Sequence, residues 1–210
     1  MGCPGSLGWQ PGKGHSPGPQ VPPRASAVSR AECLPGRAQV TLRHGGHKPL
    51  LVKSPVHMAR VKLILRLFPR AKFVFIHRHP LEVFQSAAHM ADTYYWYAYL
   101  QRPTSQEVTD FILEQGELLH RTYLRDRELI PPGNLHELSF RSLEADPKAA
   151  LRKIYGAFGW DTFDSLQPAL ERYCQSLADF KKNNHRQLKP GMEAVVRERW
   201  RVIFSAFGYQ

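Results

Sequence analysis

The sequence predicts an α/β fold in which a short parallel sheet is flanked by helices and the C-terminal half is rich in helix. The first observation is the run Phe73–Ile76, four consecutive apolar residues of which two are β-branched, a pattern typical of a strand covered on both faces. The second is Pro80, which follows this run closely and suits the first position of a helix. The third is the helical character of most of the chain beyond residue 104.

A second strand and helix are predicted just upstream. Pro49–Val52 is a short apolar stretch, and the turn Lys53–His57 leads into a helix whose apolar positions recur at helical spacing: Val61, Ile64, Leu65 and Phe68. In open α/β sheets, ligands collect beyond the carboxyl ends of the strands. Lys53 and Arg78 each follow a predicted strand, so we expect their side chains to face one crevice.

Downstream, a long helix is predicted from Gln106 to Leu129, with Thr104 and Glu107 as its capping box. The alternating segment Asn134–Phe140 is predicted as the next strand. Between these regions, the aromatic cluster Tyr94–Tyr99 fits two interpretations. It is either a core plug between helices, which we prefer, or a wall on which an acceptor or an adenine ring stacks.

Arg78 is the strongest candidate for a binding residue. It closes a strand and precedes a helix, whose unpaired N–H groups would favour anionic oxygens together with the fork-shaped guanidinium. Ser86, about two turns into that helix, can add a hydroxyl group. The simpler alternative is that Arg78 pairs with a surface carboxylate. His77 and His79 flank Arg78, and strand alternation directs them away from its side chain, so each is expected to pack or to support the site residues and not to act in catalysis.

These segments resemble the sulfotransferases that use 3′-phosphoadenosine-5′-phosphosulfate as the sulfate donor, which implies a P-loop-like three-layer fold. The likeness is carried by Leu51–His57, by Leu67–Pro80 and by the spacing of eight residues between Arg78 and Ser86. It continues through Leu138–Gly159 and the C-terminal run to Tyr209, so that it covers roughly residues 49 to 209. The resemblance implies that Arg78 and Ser86 bind the 3′-phosphate of the donor and that Lys53 lies near its sulfate.

The chemistry implied is the transfer of a sulfuryl group from that donor to an acceptor hydroxyl or amine. In such a transfer the protein mainly positions the reactants and neutralises the charge that grows on the leaving phosphate, a task for which Lys53 is the candidate. His57, one helical turn beyond Lys53, is the candidate base for the acceptor proton. The alternative for His57 is a solvent-facing residue at a helix N-terminus, and nothing in the sequence identifies the acceptor.

One feature of the family has no counterpart in the sequence. The family begins with a strand and a Ser-Gly-Thr-Thr type loop that wraps the 5′-phosphosulfate, and no segment matches it. Residues 1–48 contain nine Gly, seven Pro and a single acid, so we expect them to be disordered. The remainder, residues 49–210, is predicted to be a partial, N-terminally truncated sulfotransferase domain. An alternative function is therefore an inactive fragment that binds a 3′-phosphonucleotide or a partner.

The net charge of +11 favours an anionic ligand without selecting one. A nucleic-acid-binding module is a second alternative, but the basic residues of the folded part are interspersed with acids, which disfavours it. Three scattered cysteines predict neither a disulfide framework nor a metal site. No long apolar run and no secretion signal occur, which is consistent with a cytoplasmic protein, although Met1–Ser6 formally matches an N-myristoylation pattern at Gly2.

Overall fold

The computed structural model describes residues 50–177, 179–180, 188 and 191–210. Within these, Val52–Gln210 form one compact unit. The predictions of disorder in residues 1–48, of a domain boundary near Lys48 and of myristoylation at Gly2 lie outside the described residues.

The elements follow the predicted alternation of strand and helix. The two strands are β1, Phe73–His77, and β2, Leu135–Ser139. The helices are α1 (Val61–Leu67), α2 (Pro80–Thr93), α3 (Ser105–Asp126), α4 (Phe140–Ala145), α5 (Pro147–Phe158), α6 (Phe163–Ser176), α7 (Met192–Arg199) and α8 (Arg201–Phe207). Three short 3₁₀ helices occupy Pro55–Arg60, Tyr95–Ala98 and Arg127–Leu129. In the described part of the chain, no helix is both long enough and apolar enough to cross a membrane.

The two strands form a parallel sheet in which Phe73 pairs with Leu135 and His77 with Ser139. The predicted α/β class with a short parallel sheet between helices is therefore confirmed. One face of the sheet packs against α3, where the Phe75 ring stacks on Tyr123 with centroids 3.9 Å apart. The register places every second residue of both strands on this face.

The expectation that β1 is covered on both faces is wrong for the part of the chain described. On the outer face, α5 covers Leu138 of β2, whereas Val74 and Ile76 of β1 are 42% and 46% exposed. The physical reason is that the outer layer is formed by α5, which follows β2 in the chain and packs on Leu138 of that strand. Continuous apolar character indicates a strand that could be buried on both faces, but it does not supply the element that would bury it.

The strand predicted at Pro49–Val52 is not found over residues 50–52. These residues have no regular secondary structure, and Leu51 is 93% exposed. A strand needs a neighbour for its backbone N–H and C=O groups, and the described residues provide none there. The helix predicted after Lys53 does form, as the 3₁₀ helix Pro55–Arg60 and α1, and Val61 anchors it in a core with Tyr123 and Ile130.

The long helix α3 and the C-terminal helices share a second core. The capping box at the start of α3 is present, because Thr104 N–H donates to Glu107 Oε2 at 2.7 Å and Glu107 N–H donates to Thr104 Oγ1 at 3.2 Å. Trp200, which is 1% exposed, lies against this helix and donates from Nε1 to the Leu113 carbonyl at 3.0 Å. A Cβ atom at Gly116 would overlap the Trp200 indole, so a glycine is required there for the close approach.

Candidate functional site

Arg78 lies at the carboxyl end of β1, where the two parallel strands end at the same edge. Its Nε atom donates to Glu82 Oε2 at 2.6 Å. Its guanidinium carbon lies 4.8 Å from the ring centroid of Phe140, the residue that directly follows β2. An ion pair at Nε and an aromatic ring against the guanidinium therefore restrict its orientation.

The helix that follows Arg78 begins as the sequence predicts. Pro80 occupies its first turn, and the His79 side chain caps it by accepting a hydrogen bond from Leu81 N–H at 3.3 Å. Glu82 lies in the same first turn, where a carboxylate is favoured by the positive end of the helix dipole. The Val83 N–H also donates, to the His79 carbonyl at 3.1 Å. Of the first-turn groups, the Glu82 N–H is therefore the one that the described residues leave for a ligand beside the Arg78 guanidinium.

Glu82 is a site residue that the sequence reasoning missed. The alternative considered for Arg78, a carboxylate partner, is present, but this partner uses only Nε. Neither terminal nitrogen of the guanidinium has a hydrogen-bond acceptor among the residues that the structure describes. Ser86 is half-buried on α2 one turn beyond Glu82, so the two side chains share a helix face. The spacing of four residues from Arg78 to Glu82 is the signal that could have revealed the pair.

The structure does not bring Lys53 into contact with Arg78. Lys53 is exposed and lies in the irregular segment before the 3₁₀ helix Pro55–Arg60. Within the described ranges it has no ion pair and no hydrogen bond. The predicted common crevice for Lys53 and Arg78 therefore stays a prediction.

His57 is half-buried in the 3₁₀ helix that packs against α3. Burial, assisted by the nearby Arg60 cation, lowers the pKa of His57, so its imidazole is neutral at neutral pH and able to accept a proton. Its Nδ1 atom is buried and has no hydrogen-bond partner among the described residues. A catalytic histidine normally gains from an acceptor on its second nitrogen, which stabilises the charged ring. His57 thus has the protonation state of a base but lacks this support.

His77 and His79 contact the C-terminal residues and not Arg78, as strand alternation predicts. The Nδ1 atom of His77 lies 2.7 Å from the Tyr209 hydroxyl oxygen, and the His77 ring stacks on Phe207 with centroids 4.7 Å apart. The His79 ring makes edge contacts with Phe204 and Tyr209. Burial lowers the pKa of His77, and Glu137 opposes that shift.

A separate apolar groove of about 540 Å³ lies where α2 leads through the 3₁₀ helix Tyr95–Ala98 towards α3. Its walls include Tyr95, Tyr99 and Phe111. The preferred interpretation of the aromatic cluster as a core plug is wrong for Tyr94 and Tyr97, which are 70% and 72% exposed. It holds for Tyr95, which packs against the core around Trp200. No cluster of metal-ligating side chains occurs among the described residues.

Comparison with known proteins gives a consistent assignment. Residues 13–165 match the model of a family described as the sulfotransferase family, a match that begins ahead of the boundary predicted near Lys48. Two curated relatives, both omega-hydroxy-beta-dihydromenaquinone-9 sulfotransferases, come from Mycobacterium bovis and Mycobacterium tuberculosis. Each is 33% identical over 190 residues, which are 90% of this chain and 48% of the relative. The chain therefore spans about half the length of these relatives. No solved structure matches the chain significantly.

Proposed function

Because the chain belongs to the sulfotransferase family, we propose that it takes part in moving a sulfuryl group from 3′-phosphoadenosine-5′-phosphosulfate to an acceptor hydroxyl or amine. The observation that carries this proposal is the setting of Arg78. Its guanidinium is oriented by Glu82 and Phe140 at the carboxyl end of β1, beside the N-terminus of α2. Preorganised donors at such a place suit a multiply charged phosphate.

In this proposal, Arg78 and Ser86 bind the 3′-phosphate of the donor. The terminal nitrogens of Arg78 and the Glu82 N–H in the first turn of α2 would supply charge-assisted hydrogen bonds, and the Ser86 hydroxyl would add one more donor. The residues present fit this group because the guanidinium is held through Nε, which leaves its outer edge for the ligand.

Lys53 and His57 are proposed to act at the other end of the donor. During transfer, the bond between sulfur and the 5′-phosphate oxygen breaks as a bond from sulfur to the acceptor oxygen or nitrogen forms. Lys53 would stabilise the negative charge that develops on the leaving phosphate. His57, kept neutral by its lowered pKa, would receive the proton that the acceptor loses.

The names of the curated relatives indicate which acceptors to test first. The curated relatives are named for a hydroxylated dihydromenaquinone, so apolar molecules that carry a hydroxyl group are the first acceptors to test. The groove beside Tyr95 and Tyr99 offers apolar surface for the body of such a molecule.

The 3′-phosphate assignment is tested by titrating the protein calorimetrically with adenosine 3′,5′-bisphosphate. We expect Arg78→Ala to weaken binding by about 1.5–3 kcal/mol, the range for a hydrogen bond to a charged group. Arg152→Ala is the matched control, because the Arg152 guanidinium also lies over an aromatic ring, that of Phe163 at 4.6 Å, but Arg152 belongs to α5 and not to the turn between β1 and α2. Equal binding by wild type and Arg78→Ala would refute the assignment of this strand end.

A second candidate function is nucleotide binding without transfer, since the Arg78 side is held by contacts that the Lys53 side lacks. Transfer of labelled sulfate to a hydroxyl acceptor separates the two. If the protein transfers sulfate, Lys53→Ala should reduce turnover about a hundredfold or more while leaving bisphosphate binding unchanged, as expected for the loss of one preorganised donor. Tight bisphosphate binding with no detectable transfer would favour the second candidate.

A further inference from the structure

The last residues of the chain pack against the turn that carries Arg78. We call Phe204–Gln210 the C-terminal tail. Its Phe207 and Tyr209 rings contact His77, which precedes Arg78, while its Phe204 and Tyr209 rings contact His79, which follows Arg78. Arg78 itself contacts Glu82 and Phe140, which come from other elements.

His79 joins the tail directly to the start of α2. Its Nδ1 atom accepts a hydrogen bond from Leu81 N–H, so this nitrogen carries no proton. In the neutral ring the proton is then on Nε2, which lies 3.3 Å from the Gln210 backbone oxygen and donates to it. One imidazole therefore caps the helix with one nitrogen and binds the tail with the other.

His77 makes the second connection. Its Nδ1 atom and the Tyr209 hydroxyl are 2.7 Å apart, a short hydrogen bond between part-buried groups. Gly208 makes this contact possible, because its φ of 67° ends α8 in a left-handed turn and the chain continues towards β1. Tyr209 N–H then bonds back to the Phe204 carbonyl at 3.0 Å, which closes the turn.

We propose that Tyr209 is a positioning residue for the 3′-phosphate site: by bonding His77 and packing on His79, it fixes the turn that aims Arg78. This inference rests on the proposed function, and it adds a part of the chain 131 residues away from Arg78 to the site. Phosphate binding by a guanidinium depends on orientation, because two nitrogens must meet two oxygens together. If the contacts of His77 and His79 with the C-terminal tail were lost, the guanidinium would be positioned only by its contacts with Glu82 and Phe140.

The test compares two nucleotides on full-length variants, adenosine 3′,5′-bisphosphate and adenosine 5′-monophosphate. Tyr209→Phe keeps the ring contacts and removes the hydroxyl, and Tyr209→Ala removes both. We expect Tyr209→Phe to weaken bisphosphate binding roughly fivefold, as for one neutral hydrogen bond, and Tyr209→Ala to weaken it further. Binding of the monophosphate should not change, since it has no 3′-phosphate. Tyr173→Ala, at a largely exposed position on α6, is the control.

A variant that loses the preference for the bisphosphate indicates a positioning role for Tyr209. If its role were merely structural, the variant would bind both nucleotides more weakly by the same factor. If wild type prefers the bisphosphate and Tyr209→Phe keeps the full preference, the positioning role is wrong and the proposed function stands. If wild type shows no preference, the proposed function fails and the role of Tyr209 fails with it. Hydrogen exchange at the Leu81 amide gives a readout free of ligand: faster exchange in Tyr209→Phe is expected, and unchanged exchange would overturn the inference.

Discussion

The two cationic turns of this protein differ in how they are held. Arg78 follows a formed strand and contacts Glu82 of α2 and Phe140 of α4, and its neighbours in the chain bond to the C-terminal tail. Lys53 follows an irregular segment, is exposed and has no ion pair within the described ranges. Close by, His57 keeps a buried nitrogen for which the described residues provide no partner.

The difference teaches which half of the proposed site is preorganised. A side chain that is already oriented loses little conformational entropy when it binds a ligand, whereas a free lysine loses up to about 2 kcal/mol. Arg78 is therefore suited to ground-state binding of a nucleotide. The Lys53 side must gain its order from the ligand, which suits a group that acts during the transfer step.

The largest expected effect comes from disrupting the core around Trp200, from which the C-terminal tail extends. Trp200→Ala should lower the free energy of unfolding by about 3–5 kcal/mol, because it opens a cavity beneath α3 and deletes the bond to the Leu113 carbonyl. Urea denaturation measures the loss. In molecules that remain folded, bisphosphate binding should also weaken, because the tail extends directly from this core.

Trp160→Ala is the matched control, because Trp160 is 43% exposed and packs on Tyr155 and Phe158 of α5. It should cost much less stability and leave nucleotide binding unchanged. Equal nucleotide binding by the folded Trp200→Ala and Trp160→Ala variants would mean that the Arg78 turn does not depend on the C-terminal core.

The sequence predicted the Arg78 side well because its signals are local. Four apolar residues, an arginine and a proline at the helix start specify β1, the turn and α2 without information from elsewhere in the chain. The bond between His77 and Tyr209 could not be predicted, since it joins residues 132 positions apart. The strand predicted at Pro49–Val52 is absent over residues 50–52 for a related reason: an apolar run favours a strand, but only a neighbouring strand stabilises one.

The pH dependence of stability tests which histidine contributes most to the change in the free energy of unfolding with pH. Burial lowers the pKa of His120 on α3, against the opposing hydrogen bond between its Nδ1 atom and the Gly116 carbonyl at 2.8 Å. Below its ordinary pKa of about 6.5, the unfolded chain takes up a proton that the folded state refuses, so acid favours unfolding. The loss continues until the pH reaches the lowered pKa of the folded state.

We therefore expect the free energy of unfolding to fall between pH 7.5 and 5.5, and to fall less in His120→Gln. His57→Gln, in the Lys53 region, makes the comparison, since burial also lowers the pKa of His57. His120 is packed near Trp200, with ring centroids 6.4 Å apart. Its substitution should therefore remove the larger part of the acid-induced fall in the free energy of unfolding. An unchanged pH profile in His120→Gln would contradict this assignment.

The smallest effect concerns Glu82, whose carboxylate lies between Arg78 and the next turn of α2. Its ion pair orients the guanidinium, but its negative charge opposes a phosphate at the same place. Since exposed pairs contribute about 0.2–1 kcal/mol, we expect the charge term to dominate, so that Glu82→Gln tightens bisphosphate binding by less than about fivefold. The gain should shrink as salt is raised, because the repulsion is screened. Glu193→Gln is the control, as Glu193 forms an equivalent pair with Arg197 at 2.7 Å on α7. If Glu82→Gln weakens binding instead, the orientation of Arg78 outweighs the charge, and Glu82 belongs with Tyr209 among the residues that aim the guanidinium.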